Sequence, residues 1–137
     1  MNKLFVYTDG GARGNPGPAA IGVFIFDSNN RELLRLGKRI GETTNNVAEY
    51  TAVIEALYWL KENKNKLQLI NYSINFFLDS KLVVNQLNGY YKIKDYKLRE
   101  LSLKIRELEQ EIGGNICYSF IPRERNTIAD SLVNASF

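Results

Sequence analysis

Apolar residues follow two rhythms along this chain, and each change of rhythm marks a strand giving way to a helix. Lys3 to Thr8 (KLFVYT) is short, aromatic and β-branched, and reads as a first strand. Ala19 to Asp27 (AAIGVFIFD) is apolar almost throughout, which predicts a strand in the interior of a sheet. Ser28-Asn29-Asn30 supplies a turn, and Arg31 to Ile40 alternates roughly, as a third strand would. These three are expected to form an antiparallel meander.

The period then lengthens. In NVAEYTAVIEALYWLKEN, Val47, Tyr50, Ile54, Leu57 and Leu60 share one helical face, with Asn45 or Asn46 as N-cap and polar Asn63 to Lys66 as the stop. Tyr72 to Leu78 is a fourth strand, and Ser80 to Leu87 a short helix closed by Gly89. A basic, tyrosine-containing turn leads into a long amphipathic helix through Leu98, Leu101, Ile105, Leu108 and Ile112, which Gly113-Gly114 ends. Asn115 to Ile121 is a fifth strand, Pro122 to Arg125 a loop, and Asn126 or Thr127 caps a last helix. The order β-β-β-α-β-α-α-β-α predicts one α/β domain over residues 1–137, a mixed sheet flanked by helices.

Composition narrows the chemistry more than the fold. A chain of 137 residues with 45% hydrophobic and 24% charged residues is one globular domain with its own core. The net charge of +3 admits a polyanionic partner without requiring one. There is no histidine, which excludes His-based triads, His zinc sites and imidazole acid–base catalysis. The single cysteine, Cys117, excludes a disulfide within the chain; it is expected to be a small buried hydrophobe in a reducing, cytoplasmic setting. No signal-peptide core or membrane-length apolar run is present, so no membrane association is expected.

Four acids remain as candidates. Asp9 follows the first strand and is succeeded by Gly10 and Gly11, so it reads as a carboxylate presented at a strand end that turns at once. Asp79 stands in the same position after the fourth strand, and in mixed sheets sites form at the carboxyl ends of parallel strands. Glu49 and Asp130 fall in the first turns of two helices. Each has a plainer reading: a turn residue for Asp9, an N-cap for Asp79, and capping partners of Asn46 and Thr127 for the other two. As a group they predict a cation, because clustered carboxylates repel one another and desolvation raises that cost. With neither His nor a second Cys to ligate, the donor set selects a hard ion such as Mg²⁺, Mn²⁺ or Ca²⁺. A pair of such ions about 3.5–4 Å apart is suited to hydrolysing a phosphodiester.

The segments around these acids resemble the type 1 ribonuclease H family over nearly the whole chain: TDGGARGNPGPAAIG, TTNNVAEYTAVIEAL, LDSKLVVNQL and IPRERNTIADSLVN, in that order. The resemblance implies a ribonuclease H-like fold with a five-stranded mixed sheet, three antiparallel strands followed by parallel additions. It implies cleavage of the RNA strand of RNA–DNA hybrids by two Mg²⁺ ions, with Mn²⁺ a substitute, leaving 3′-hydroxyl and 5′-phosphate ends. Asp9 would bridge both ions, and Glu49, Asp79 and Asp130 would complete their ligation. Asn15, Asn45 and Asn46 match contacts to the hybrid's minor groove and Thr44 a phosphate contact on the DNA strand, with Gly10, Gly11, Arg123 and Arg125 as further expected substrate contacts. Two departures stand out. The loop that carries a histidine in many members reads IPRERN here, so Arg123, Arg125 or Glu124 takes its place, or no side chain does. The segment NGYYKIKDYKLREL is too short for the basic, Trp-rich helix of some members, and Lys92, Lys94, Lys97 and Arg99 are its expected substitute. A monomer is expected. A nuclease that also cuts double-stranded RNA and a non-catalytic hybrid-binding module are the competing readings.

Overall fold

A computed structural model describes residues 2–137 and contains five strands in one sheet. Three come first: β1 (Asn2–Ala12), β2 (Gly17–Asp27) and β3 (Glu32–Thr43). Helix α1 (Asn45–Glu62) is followed by the single turn α2 (Lys64–Leu67), then β4 (Tyr72–Leu78), α3 (Lys81–Leu87), α4 (Tyr96–Ile112), β5 (Asn115–Phe120) and α5 (Thr127–Ala135). The strand order is β3-β2-β1-β4-β5. β1 to β3 pair antiparallel, whereas β4 adds parallel to β1 and β5 parallel to β4. The expected five-stranded mixed sheet is therefore present.

Alternation along β1 sorts its side chains onto two different layers. Leu4 and Val6 point into the main core, with Val23, Ile25, Ile74, Phe76, and Tyr50, Val53 and Leu57 of α1. The opposite face carries Phe5, Tyr7, Phe26 and Phe77, stacked ring on ring at 5.0–6.4 Å, with Phe24 tilted against Phe26 at 5.5 Å. Further along that second face the side chains vanish. Gly22 and Gly37 are neighbours in the β2–β3 register, and a Cβ on either would meet the α5 backbone, at Ala129 O (2.3 Å) and Leu132 O (2.7 Å). Those two glycines are the seat on which α5 lies, and α5 carries Asp130.

Several boundaries differ from those expected. β1 does not stop at Thr8: it continues to Ala12, with Asp9 paired to Gly22 and Gly10 to Ile21. What ends near Asp9 is only its parallel partner ladder, whose last pair is Tyr7 with Phe77. Gly10 and Gly11 are thus extended strand residues, not a turn. β3 likewise runs on to Thr43, past the expected end at Ile40. Asn63 to Lys66 does not simply end the helix, since α2 inserts one further turn. Cys117 is exposed, not buried: β5 is an edge strand, and Cys117 faces away from the core and donates to Asn75 Oδ1 at 3.3 Å. Apolar neighbours in sequence could not reveal which side of an edge strand was bare.

Candidate active site

Parallel addition of β4 beside β1 brings the end of β4 against the middle of β1, where their shared ladder stops, and α1 starts directly across Gly10. The consequence is that one carboxylate oxygen from each of Asp9, Glu49 and Asp79 lies within 4.8 Å of the others. Asp9 and Glu49 are buried, at 6% and 7% exposure, and Asp79 is half-buried. Asp130 lines the same open cleft of about 420 Å³ but stands outside that tight group, nearer the rim. There Asn134 Nδ2 donates to its Oδ2 at 3.4 Å, and Arg123 Nη2 lies 3.9 Å from its Oδ1.

None of the plainer roles for these acids is realised. The N-cap of α1 is Thr44, whose Oγ1 accepts from Val47 N at 3.3 Å, so neither Asn45 nor Asn46 caps and Glu49 completes no capping box. The reason is that Asn45 is already helical and its side chain reaches backwards: Asn45 Oδ1 accepts from Ala12 N at 2.8 Å. Asn15 Oδ1 in turn accepts from Asn45 N at 2.9 Å, tying the β1–β2 turn to the start of α1. Ser80, not Asp79, caps α3, through a bond from Val83 N at 3.3 Å. Asn126 occupies the N-cap position of α5 without a side-chain cap bond. Its amide Nδ2 instead donates to Thr8 O at 2.9 Å and to Asp79 Oδ2 at 3.2 Å. Buried to 1% exposure, Asn126 therefore clamps the β1 backbone to the Asp79 carboxylate.

Electrostatics show how costly the cluster is without a counter-ion. Burial, and then the charge of Asp79, push the Asp9 carboxyl up to about 7. Burial, and then the charge of Asp9, hold Glu49 well above the usual carboxylate range. Glu49 Oε1 accepts from Gly10 N at 3.4 Å, but its buried Oε2 has no hydrogen-bond partner among the described residues. An orphaned buried carboxylate oxygen beside two others, in an all-oxygen set, fits a hard divalent cation. A cation must displace the proton that Asp9 keeps up to about pH 7. Because Glu49 also keeps its proton beyond the usual carboxylate range, metal affinity is expected to climb as the pH rises through about 7, with proton release on binding. Calorimetric titration of Mg²⁺ in buffers of different ionisation enthalpy reads both, and a pH-independent affinity would contradict it.

The remaining expected contacts divide. Gly10, Gly11, Asn45, Asn46 and Arg123 line the cleft, whereas Asn15 and Thr44 fall outside its lining, Asn15 accepting from Asn45 N and Thr44 capping α1. Arg125 does not join them. It faces a separate hollow with Tyr7, Phe24 and Phe26, because Arg123–Arg125 forms a tight helical turn that sends the two arginines apart. Six cleft residues escaped sequence reasoning: Ala12, Arg13, Ser80, Val133, Asn134 and Phe137. Of these only Arg13 left a signal, a cation set four residues after Asp9 in a glycine-rich turn.

Fold and site together define a mixed α/β domain with an acidic cluster, on its central strand where β4 ends beside it, that could hold a metal ion. The sequence model of the reverse transcriptase-like family matches residues 7–136. A bifunctional protein of Mycobacterium tuberculosis is 38% identical over 133 residues, covering 96% of this chain and 35% of that protein. Ribonuclease HI of Halobacterium salinarum is 35% identical over 133 residues, 96% of this chain and 63% of the relative. This chain therefore spans only part of the length of those relatives. Among solved structures, an RNase H1 isolated from compost by metagenomics superposes with a TM-score of 0.92 at 48% identity, covering 99% of this chain and 96% of that one. The same RNase H1 in complex with an RNA/DNA hybrid gives a TM-score of 0.91 at 46% identity, with 97% and 95% covered. The chain belongs to the type 1 ribonuclease H family.

Proposed function

We propose that this protein is a metal-dependent endonuclease that hydrolyses the RNA strand of RNA–DNA hybrids. The observation that carries the reading is the convergence of Asp9, Glu49 and Asp79 on one point, with Glu49 Oε2 orphaned there. The hybrid bound by the 46% identical RNase H1 supports the substrate. Asp9, Glu49 and Asp79 would hold the metal, with Asp130 completing the set from the rim. When bound, two Mg²⁺ ions supply the charge that stabilises an in-line displacement at phosphorus, leaving 3′-hydroxyl and 5′-phosphate ends.

The chain's own residues do the rest. Asn126 fixes the Asp79 carboxylate against β1. Asn15 and Asn45 spend their Oδ1 atoms on backbone N–H groups, and their Nδ2 donors make no hydrogen bond among the described residues. Amide donors there suit the 2′-hydroxyls and base-edge acceptors of a wide minor groove, so selectivity rests on sugar and shape, not on base sequence. Of the basic strip, Arg99 Nε is occupied by Ile93 O and Lys97 lies 3.7 Å from Glu100, leaving Lys92 and Lys94 beside the exposed Tyr90 and Tyr91 as the part free to meet a phosphate. Action as a monomer in the cytoplasm belongs to the same proposal; no helix of the described residues is long and apolar enough to cross a membrane.

Cleavage of end-labelled RNA–DNA hybrid, double-stranded RNA and double-stranded DNA, each with Mg²⁺ and with EDTA, tests the reading. Mg²⁺-dependent cutting of the hybrid's RNA strand alone is the expected result. Equal cutting of double-stranded RNA would replace it with a broader nuclease, and binding without cutting would leave a hybrid-binding module.

A further inference from the structure

Arg13 and Phe137 meet across the mouth of the acidic cleft. Arg13 lies in the β1–β2 turn, where its N–H donates to Pro18 O at 2.8 Å and so fixes its backbone. Phe137 follows α5, the helix that also carries Asp130. The guanidinium carbon of Arg13 stands 4.1 Å from the centroid of the Phe137 ring, a stacking distance, and both residues line the cleft. A positive group beside four acids would be expected to pair with one of them. Arg123 does approach Asp130, but Arg13 forms no ion pair among the described residues. It rests on an aromatic face instead.

That posture has a chemical consequence. Arg13's guanidinium, held over a ring with no side-chain hydrogen bond or ion pair among the described residues, keeps its N–H donors free, and those donors match the oxygens of a phosphate. An exposed arginine ordinarily loses considerable rotamer freedom on binding, and one already laid on a ring loses less. We propose that Arg13 takes a backbone phosphate of the strand lying over the carboxylates, and that Phe137 is the positioning residue that holds it ready. The assignment rests on the nuclease reading above and deepens it: the cleft contains its own anchor for the phosphate next to the one being cut.

The test uses the full chain and its Arg13→Ala, Arg13→Lys, Phe137→Leu and Phe137→Tyr variants. Steady-state cleavage of a defined hybrid with Mg²⁺ gives kcat and KM. Anisotropy of a fluorescein-labelled hybrid in EDTA, over a salt series, gives Kd and its salt slope. Arg13→Ala should raise KM and Kd about tenfold, with kcat changed far less. Its slope of log K against log salt should fall by about one, the signature of one lost phosphate contact. Arg13→Lys should keep that slope. Phe137→Leu keeps apolar bulk but loses the ring face, and should raise KM about threefold, which Phe137→Tyr should restore. In Arg13→Ala/Phe137→Leu the second change should add nothing, because both act through one contact. An unaltered Kd and salt slope in Arg13→Ala, or independent effects of the two changes, would overturn the assignment while leaving the nuclease reading intact. Failure of the unmodified chain to cut the hybrid would overturn both.

Discussion

Asp9→Asn is expected to abolish hybrid cleavage and, in the absence of metal, to make the protein more stable. The loss follows from position: Asp9 is a buried member of the cluster, within 4.8 Å of carboxylate oxygens of both Glu49, from α1, and Asp79, just after β4. Removing its charge takes away a ligand at the centre of the site and should lower the rate by about a thousandfold or more. The gain in stability follows from the sign of its shift. Folding raises the Asp9 carboxyl from 3.8 to about 7, so the folded state holds a proton that the unfolded chain would release. Stability from that group is complete below its unfolded value and is lost as the pH rises towards about 7. Asparagine never ionises and escapes the loss. The variant should therefore exceed the parent by about 1–3 kcal/mol at pH 8 in EDTA, with the difference shrinking as the pH falls towards the unfolded value of 3.8. Adding Mg²⁺ should narrow the gap, because only the parent gains binding energy from the ion. Thermal unfolding at pH 5 and pH 8, with and without Mg²⁺, reads all of this. Equal stability at pH 8 in EDTA would mean that the cluster stores no repulsion.

Gly10→Ala carries the second large effect, and Gly11→Ala is its control. A Cβ on Gly10 would lie 2.4 Å from the carbonyl carbon and oxygen of Ala48 and 2.6 Å from the backbone nitrogen of Glu49. All three are backbone atoms of α1, so no side-chain rotation relieves the clash, and the start of the helix must lift from the strand. Glu49 moves with it and loses its bond from Gly10 N. A destabilisation of about 3 kcal/mol and a large fall in kcat are expected. One residue on, a Cβ on Gly11 would meet nothing closer than Val133 Cγ1 at 3.9 Å, an ordinary contact. Gly11→Ala should fold and unfold nearly as the parent does. Melting curves and single-turnover rates for the two variants decide the matter; indistinguishable behaviour would refute the packing argument.

The same glycine shows how far a sequence can be read. Gly10 after Asp9 looked like the start of a turn, since glycine frees the backbone and the loop beyond is rich in glycine and proline. It is instead part of β1, and its missing side chain makes room for another element thirty-nine residues away. Asn126 misled in a similar way. An asparagine before a helix reads as a cap, yet its amide bridges Thr8 and Asp79, neither of which is near it in sequence. Asn45 was displaced from the capping role by Thr44 because its own side chain was engaged by Ala12. In each case the local propensity was satisfied elsewhere, and the polar group was taken by a partner that only the folded chain brings close.

What the sequence by itself determined is what depends on period and type. Strand and helix order follow from apolar spacing of two or of three and four. The hardness of the expected cation follows from a donor set without histidine, and the four acids from their recurring place at strand and helix ends. Those properties are written in neighbouring residues, so they survive without coordinates. Tertiary structure alone decided which acids meet. Parallel pairing of β4 with β1 placed Asp79 beside Asp9, the close approach over Gly10 delivered Glu49, and the glycine seat of α5 left Asp130 at the rim. It also decided that Arg125 turns away while Arg13, resting on Phe137, faces the cleft. Distances between elements are set by packing among residues far apart in the chain, and no local pattern encodes them.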